Sequence, residues 1–141
     1  MIIYVDASAL VKRYIAEAGS TEVNTWIRDA QMVTTSILSR AEVAAALNRA
    51  SRMEMIDSEG CRKALEIFRA EWESFIRLPV YEATVIRADS LTVRHNLRGY
   101  DAIHLACALI WQESIGRTVR LITYDNQLRQ AGQEEGIILL P

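Results

Sequence analysis

The sequence is poor in the residues that usually announce specialised chemistry. It holds two cysteines, two histidines and two prolines in 141 residues. Cys61 and Cys107 show none of the Cys/His spacing of a zinc site, and both fall within helical patterns. They read as reduced packing thiols of a cytosolic protein, with a structural disulfide as the alternative. No stretch approaches the ~20 apolar residues that span a bilayer. Asp6 and then Lys12-Arg13 interrupt any apolar region of a secretory signal. A cytoplasmic protein without membrane attachment is therefore expected. G-x-S-x-G, Walker and G-x-G-x-x-G patterns are all missing, so Ser-His-Asp catalysis has no anchor. Low-complexity tracts, repeats and Pro/Gly linkers are missing too, and residues 1–141 read as one domain. Lysine is scarce, two against fourteen arginines, and the net charge of −2 gives no overall basic field for nucleic acid.

What is present is apolar sequence in a regular rhythm. Half the residues are hydrophobic, which excludes a disordered chain. A chain of this size buries roughly 68–70% of its unfolded surface, enough for one core. Apolar runs of four to six residues alternate with longer helical stretches, the pattern of a mainly parallel sheet with helices on both faces. Strands are expected over Ile2–Asp6, Met32–Thr35, Val119–Thr123 and Ile137–Leu140. A further extended piece, Leu78–Val80, contains Pro79 and belongs at a sheet edge. Helices are expected from Ser8 to a break at Gly19-Ser20, and then over Ser20–Asp29. The next begins after a Ser36 cap and runs through Arg52, with a possible Ser39/Glu42 capping box. Others span Asp57 to about Ile76, Glu82–Leu97, Asp101–Ser114 and Asn126–Glu135, the last stopped by Gly136.

Four carboxylates stand out against this frame. Asp6 ends the first apolar run, at the carboxyl tip of a strand, where ligands bind in open α/β sheets. Asp125 repeats the arrangement after Val119–Tyr124. Glu42 shares a helical stripe with Leu38 and Ala45/Ala46, and Asp101 sits in apolar surroundings where an unpaired charge is costly. Each has an ordinary structural alternative. Asp6, Asp101 and Asp125 all precede helices and could be N-caps; Glu42 could pair with Arg40 or close the capping box. Capping and metal ligation are compatible, because a carboxylate has about four acceptor sites. Convergence of the four on one sheet edge would call for a cation. His104 reads as a satisfied core histidine and His95 as exposed. Arg49, Arg52, Arg62, Lys63 and Arg69 read as a solvated helix face paired with Glu54, Glu59, Glu66 and Glu73, with an RNA-contacting stripe as the alternative. Trp26, Trp72 and Phe75 read as core.

The segments Tyr4–Tyr14, Thr35–Glu42, Leu97–Ala106 and Thr123–Asp125, in that order, resemble the PIN domain, and more narrowly the VapC toxins of toxin–antitoxin pairs. The resemblance covers the chain from end to end. It implies a three-layer α/β/α sandwich and a magnesium- or manganese-dependent endoribonuclease. It places the acidic-site roles on Asp6, Glu42, Asp101 and Asp125, with Ser8 and Thr123 supporting those acids by hydrogen bonding. It also implies a homodimer and a VapB-like antitoxin partner. Rival readings are an inactive relative that only binds a partner, and a magnesium-dependent phosphatase or phospho-acceptor domain with Asp6 as nucleophile. The phosphatase pattern wants a second Asp two residues on, where this chain has Ser8. DNA cleavage is a further alternative within the nuclease class.

Overall fold

A computed structural model describes all 141 residues. Five strands form one wholly parallel sheet: β1 (Ile2–Val5), β2 (Met32–Ser36), β3 (Ile76–Leu78), β4 (Val119–Ile122) and β5 (Ile138–Leu140). Their order is β3-β2-β1-β4-β5, so the chain's first strand is central. Seven helices connect them: α1 (Ala7–Leu10), α2 (Ser20–Asp29), α3 (Ser39–Arg52), α4 (Ser58–Glu71), α5 (Glu82–His95), α6 (Gly99–Ile115) and α7 (Asn126–Glu134).

The central strand β1 is buried along its whole length because helices cover both faces of the sheet. Side chains alternate along β1 and feed two cores. Ile2 and Tyr4 join Leu91, Leu105, Leu109, Leu121 and Leu128 in one. Ile3 and Val5 join Leu10, Val43, Leu47, Phe68 and Ile122 in the other. This is the expected α/β/α sandwich. Cys61 and Cys107 are free and buried. No helix is long and apolar enough to cross a membrane.

Several expected boundaries move. The fourth helix does not reach Ile76: it ends at Glu71, a short 3-10 turn follows, and Ile76–Leu78 pairs with Thr34–Ser36 as an edge strand. The edge position is as expected, with Pro79 just beyond the strand. Trp72 and Phe75, buried in the core, pin the turn between helix and strand. The expected Ser39/Glu42 box does not form, because Ser39 Oγ lies 2.7 Å from Thr35 Oγ1 instead. Ser36 ends β2 rather than capping α3; its hydroxyl accepts from the Leu38 N–H. The first helix does not run to Gly19: it ends at Leu10, a 3-10 turn follows to Arg13, and Gly19 instead stands in the N-cap position of α2. Its φ is +90°, and a Cβ there would lie 2.4 Å from the Tyr124 hydroxyl, so only glycine fits.

Candidate active site

Asp6 follows β1 and is 2% exposed. It caps α1, accepting the Ala9 N–H at Oδ1 over 2.9 Å. The Ser8 hydroxyl lies 2.8 and 2.9 Å from its two oxygens, and the Thr123 hydroxyl donates to Oδ2 at 2.6 Å. Those hydroxyls are themselves set by backbone: Ser8 Oγ accepts from the Tyr124 N–H and Thr123 Oγ1 from the Asp125 N–H. Burial pushes the Asp6 carboxyl above its ordinary pKa. The neighbouring His104 and the three donors oppose that shift without cancelling it.

Glu42 lies in the first turn of α3, and its Oε2 is 2.6 Å from His104 Nε2. A carboxylate only accepts, so Nε2 carries the hydrogen. His104 Nδ1 in turn lies 2.8 Å from the Tyr4 hydroxyl. Burial pulls the His104 pKa down, but the hydrogen bond and charge of Glu42, with Asp6 and Asp101 behind, leave it raised overall.

Asp101 lies in the first turn of α6, and Asp125 caps α7 by accepting the Leu128 N–H at 2.8 Å. Arg98 bridges the pair. Its Nε lies 2.9 Å from Asp101 Oδ2, and its Nη2 lies 3.2 Å from Asp125 Oδ2. The Arg98 side chain is 75% exposed, so this bridge is open to competition.

Asp6, Glu42, Asp101 and Asp125 all line one cavity of about 590 Å³ at the carboxyl edge of the sheet. Ser8, Arg49, Arg98, Tyr100 and His104 line it too, while Thr123 lies fully buried behind Asp6. As placed, no three His, Cys, Asp or Glu side chains converge closely enough to hold a metal ion. Glu42 is engaged by His104, and Asp101 and Asp125 by Arg98. The donor set is nonetheless carboxylate oxygen, which suits a hard divalent cation such as magnesium or manganese. The residues present fit such an ion once Arg98 releases Asp101 and Asp125.

Three local expectations are corrected. Asp101 is not an N-cap: α6 begins at Gly99 with Arg98 in the cap position. Arg40 does not pair with Glu42; it lies over the Trp72 ring, 5.6 Å from its centroid. His95 is not exposed: its side chain is 5% accessible and sits between Glu134 and Glu135. His104 is the satisfied core histidine that was expected, yet it also borders the cavity. Arg62 pairs with Glu59 and Glu66 as a solvated face should, whereas Arg49 faces the cavity. Spacing held the signal for these additions. Arg98 and His104 each stand three residues from Asp101, and Arg49 stands two helical turns after Glu42.

The PIN domain family matches residues 3–134. Ribonuclease VapC3 of Pyrobaculum aerophilum is 31% identical over 132 residues, covering 92% of this chain and 94% of that protein. Ribonuclease VapC46 of Mycobacterium tuberculosis is 33% identical over 138 residues, covering 98% and 95%. A chain of a toxin–antitoxin complex from Klebsiella pneumoniae superposes with a TM-score of 0.65 at 16% identity, over 89% of this chain and 87% of that one. With the family and the VapC relatives matched across nearly its whole length, and with the sandwich they share, this chain belongs to the VapC branch of the PIN-domain family.

Proposed function

We propose that the protein is a divalent-metal-dependent endoribonuclease acting as the toxin of a toxin–antitoxin pair. The observation that carries the reading is the meeting of four carboxylates at one cavity, from the caps of α1 and α7 and the first turns of α3 and α6. The names of the VapC relatives support ribonuclease chemistry, and the Klebsiella complex supports an antitoxin partner. Asp6, Asp101 and Asp125 would hold magnesium or manganese, directly or through water, with Glu42 as a fourth ligand or as the residue that orients the attacking water. The chemistry an ion supplies when held there is polarisation of the scissile phosphoryl group and activation of water.

The chain's own residues do the rest. Ser8 and Thr123 hold Asp6 so that its remaining acceptor sites face the cavity. Arg49 and Arg98 offer forked donors to RNA phosphates. Tyr100, 64% exposed at the cavity, offers a ring on which an unpaired base can stack. Single-stranded or looped RNA is the expected substrate, because its bases are accessible. Both ring nitrogens of His104 are engaged, by Tyr4 and Glu42, so the departing oxygen would take its proton from water. The phosphatase reading fits less well. The position two residues after Asp6, where that chemistry wants a second Asp, is Ser8, whose hydroxyl is committed to Asp6. Homodimerisation and a cytoplasmic setting complete the proposal.

The test is digestion of a structured RNA by purified protein with manganese, with EDTA, and by the Asp6→Asn variant. Cleavage with manganese only, lost in the variant, supports the reading. Cleavage that survives EDTA or Asp6→Asn at the wild-type rate overturns it.

A further inference from the structure

We propose that His104, backed by Tyr4, is a positioning residue that sets the orientation of the Glu42 carboxylate. The inference rests on the nuclease reading above and adds a residue to it. Its ground is a line of side chains running from the core to the cavity. Tyr4 on β1 is fully buried and His104 on α6 is 2% exposed. The Tyr4 hydroxyl lies 2.8 Å from His104 Nδ1, and His104 Nε2 lies 2.6 Å from Glu42 Oε2. These contacts tie the central strand to α6, and α6 to α3, across 100 and 62 residues of chain.

Glu42 needs such a partner more than the other acids do. Asp6 is held by two hydroxyls and a backbone N–H, and Asp125 by its helix cap. Glu42 has a longer side chain on a helix face with Ala45 and Ala46, and His104 is its one hydrogen-bond partner. The imidazole takes Oε2 and leaves Oε1 for the cavity.

Tyr4 has a defined part in this. Nε2 must carry a hydrogen to bond Glu42. A neutral imidazole then has its lone pair on Nδ1, to which the Tyr4 hydroxyl can donate; in the imidazolium Nδ1–H donates to the Tyr4 oxygen instead. Loss of that hydroxyl would admit the other tautomer, which presents a lone pair to a carboxylate. A histidine that merely filled space would not require this order of donors and acceptors.

The full-length variants Glu42→Gln, His104→Leu, His104→Gln, Tyr4→Phe and the double variant Glu42→Gln/His104→Leu separate the possibilities. RNA cleavage, manganese affinity by calorimetry and the melting temperature of each are measured. His104→Leu is expected to lower kcat about 10- to 100-fold with a smaller change in KM, and to weaken manganese binding. His104→Gln, which keeps a donor near the Nε2 position, restores most of both, and Tyr4→Phe falls between. In the Glu42→Gln background, His104→Leu costs nothing further, because the two act as one unit. Wild-type cleavage by His104→Leu overturns the inference alone. So does an undiminished loss in the double variant, or a loss that tracks melting temperature and is not rescued by glutamine. Wild-type cleavage by Glu42→Gln would instead remove Glu42 from the nuclease reading itself.

Discussion

At the scale of single residues, Asp6 combines two functions that pull in opposite directions. It caps α1 and lines the cavity, yet its burial raises its pKa, so ionisation is disfavoured in the folded chain. The sign follows from linkage. A carboxyl with a raised folded pKa contributes stability at low pH that is lost as pH rises through that pKa. Asparagine can still cap the helix and carries no charge. Asp6→Asn is therefore expected to gain melting temperature relative to wild type as the pH of an EDTA-containing buffer rises from 4.5 to 8; a pH-independent difference would contradict this. Arg98 poses the complementary case, a cation lying between Asp101 and Asp125 where a metal ion would compete with it. Arg98→Gln should bind manganese several-fold more tightly in the absence of RNA and lose less than about 0.5 kcal/mol of stability, since the bridge is exposed. Weaker manganese binding, read by calorimetry, would show that Arg98 helps build the site rather than occupying it. Asp6 and Asp125 are legible in the sequence because an acid ending an apolar run marks a strand tip. The link from Glu42 to His104 is not, because nothing local connects residues 62 positions apart.

At the scale of elements, the short α1 and the turn after it need an external anchor. Glu71, at the end of α4, supplies one: it accepts from Arg13 Nε and Nη2 at 2.8 and 2.6 Å and from the Tyr14 hydroxyl at 2.9 Å. The Arg13 bonds hold the Glu71 pKa below its ordinary value, although partial burial opposes them. A depressed carboxyl contributes stability above its unfolded pKa and loses it as pH falls through the folded pKa. Glu71→Gln should cost about 1 kcal/mol in urea unfolding at pH 7, because solvent screens the pair, and almost nothing near pH 3. An equal cost at both pH values would assign the effect to packing. The same region shows where element boundaries resist sequence reading. The expected helix takes in Ile76 and the expected extended piece begins only at Leu78, because a three-residue strand is too short for its period to separate it from the helix before it. Gly99 opens α6 rather than preceding it, which displaced the expected cap from Arg98 to Asp101. Other features escape this ambiguity: β1 is an unbroken apolar run, and Gly136 at φ +80° stops α7 as expected.

At the scale of the whole molecule, strand order makes the site. With β1 central and β4 beside it, the segments leaving both strands place Asp6, Thr123 and Asp125 together, and helices from opposite faces of the sheet bring Glu42 and Asp101 to the same edge. Residues 119 positions apart in the chain thus share one cavity through parallel pairing that no local pattern contains. The alternating rhythm of the sequence indicates the class of sheet, but the order of its strands comes from the family likeness and the three-dimensional fold. The claim that these acids form one cation site is tested most directly by titrating manganese into wild type and into Asp6→Asn, Glu42→Gln, Asp101→Asn and Asp125→Asn, with electron paramagnetic resonance reporting the free ion. The account predicts that wild type binds manganese and that Asp6→Asn and Asp101→Asn each weaken that same binding at least about 10-fold while remaining folded. Wild-type affinity retained by both Asp6→Asn and Asp101→Asn would contradict it.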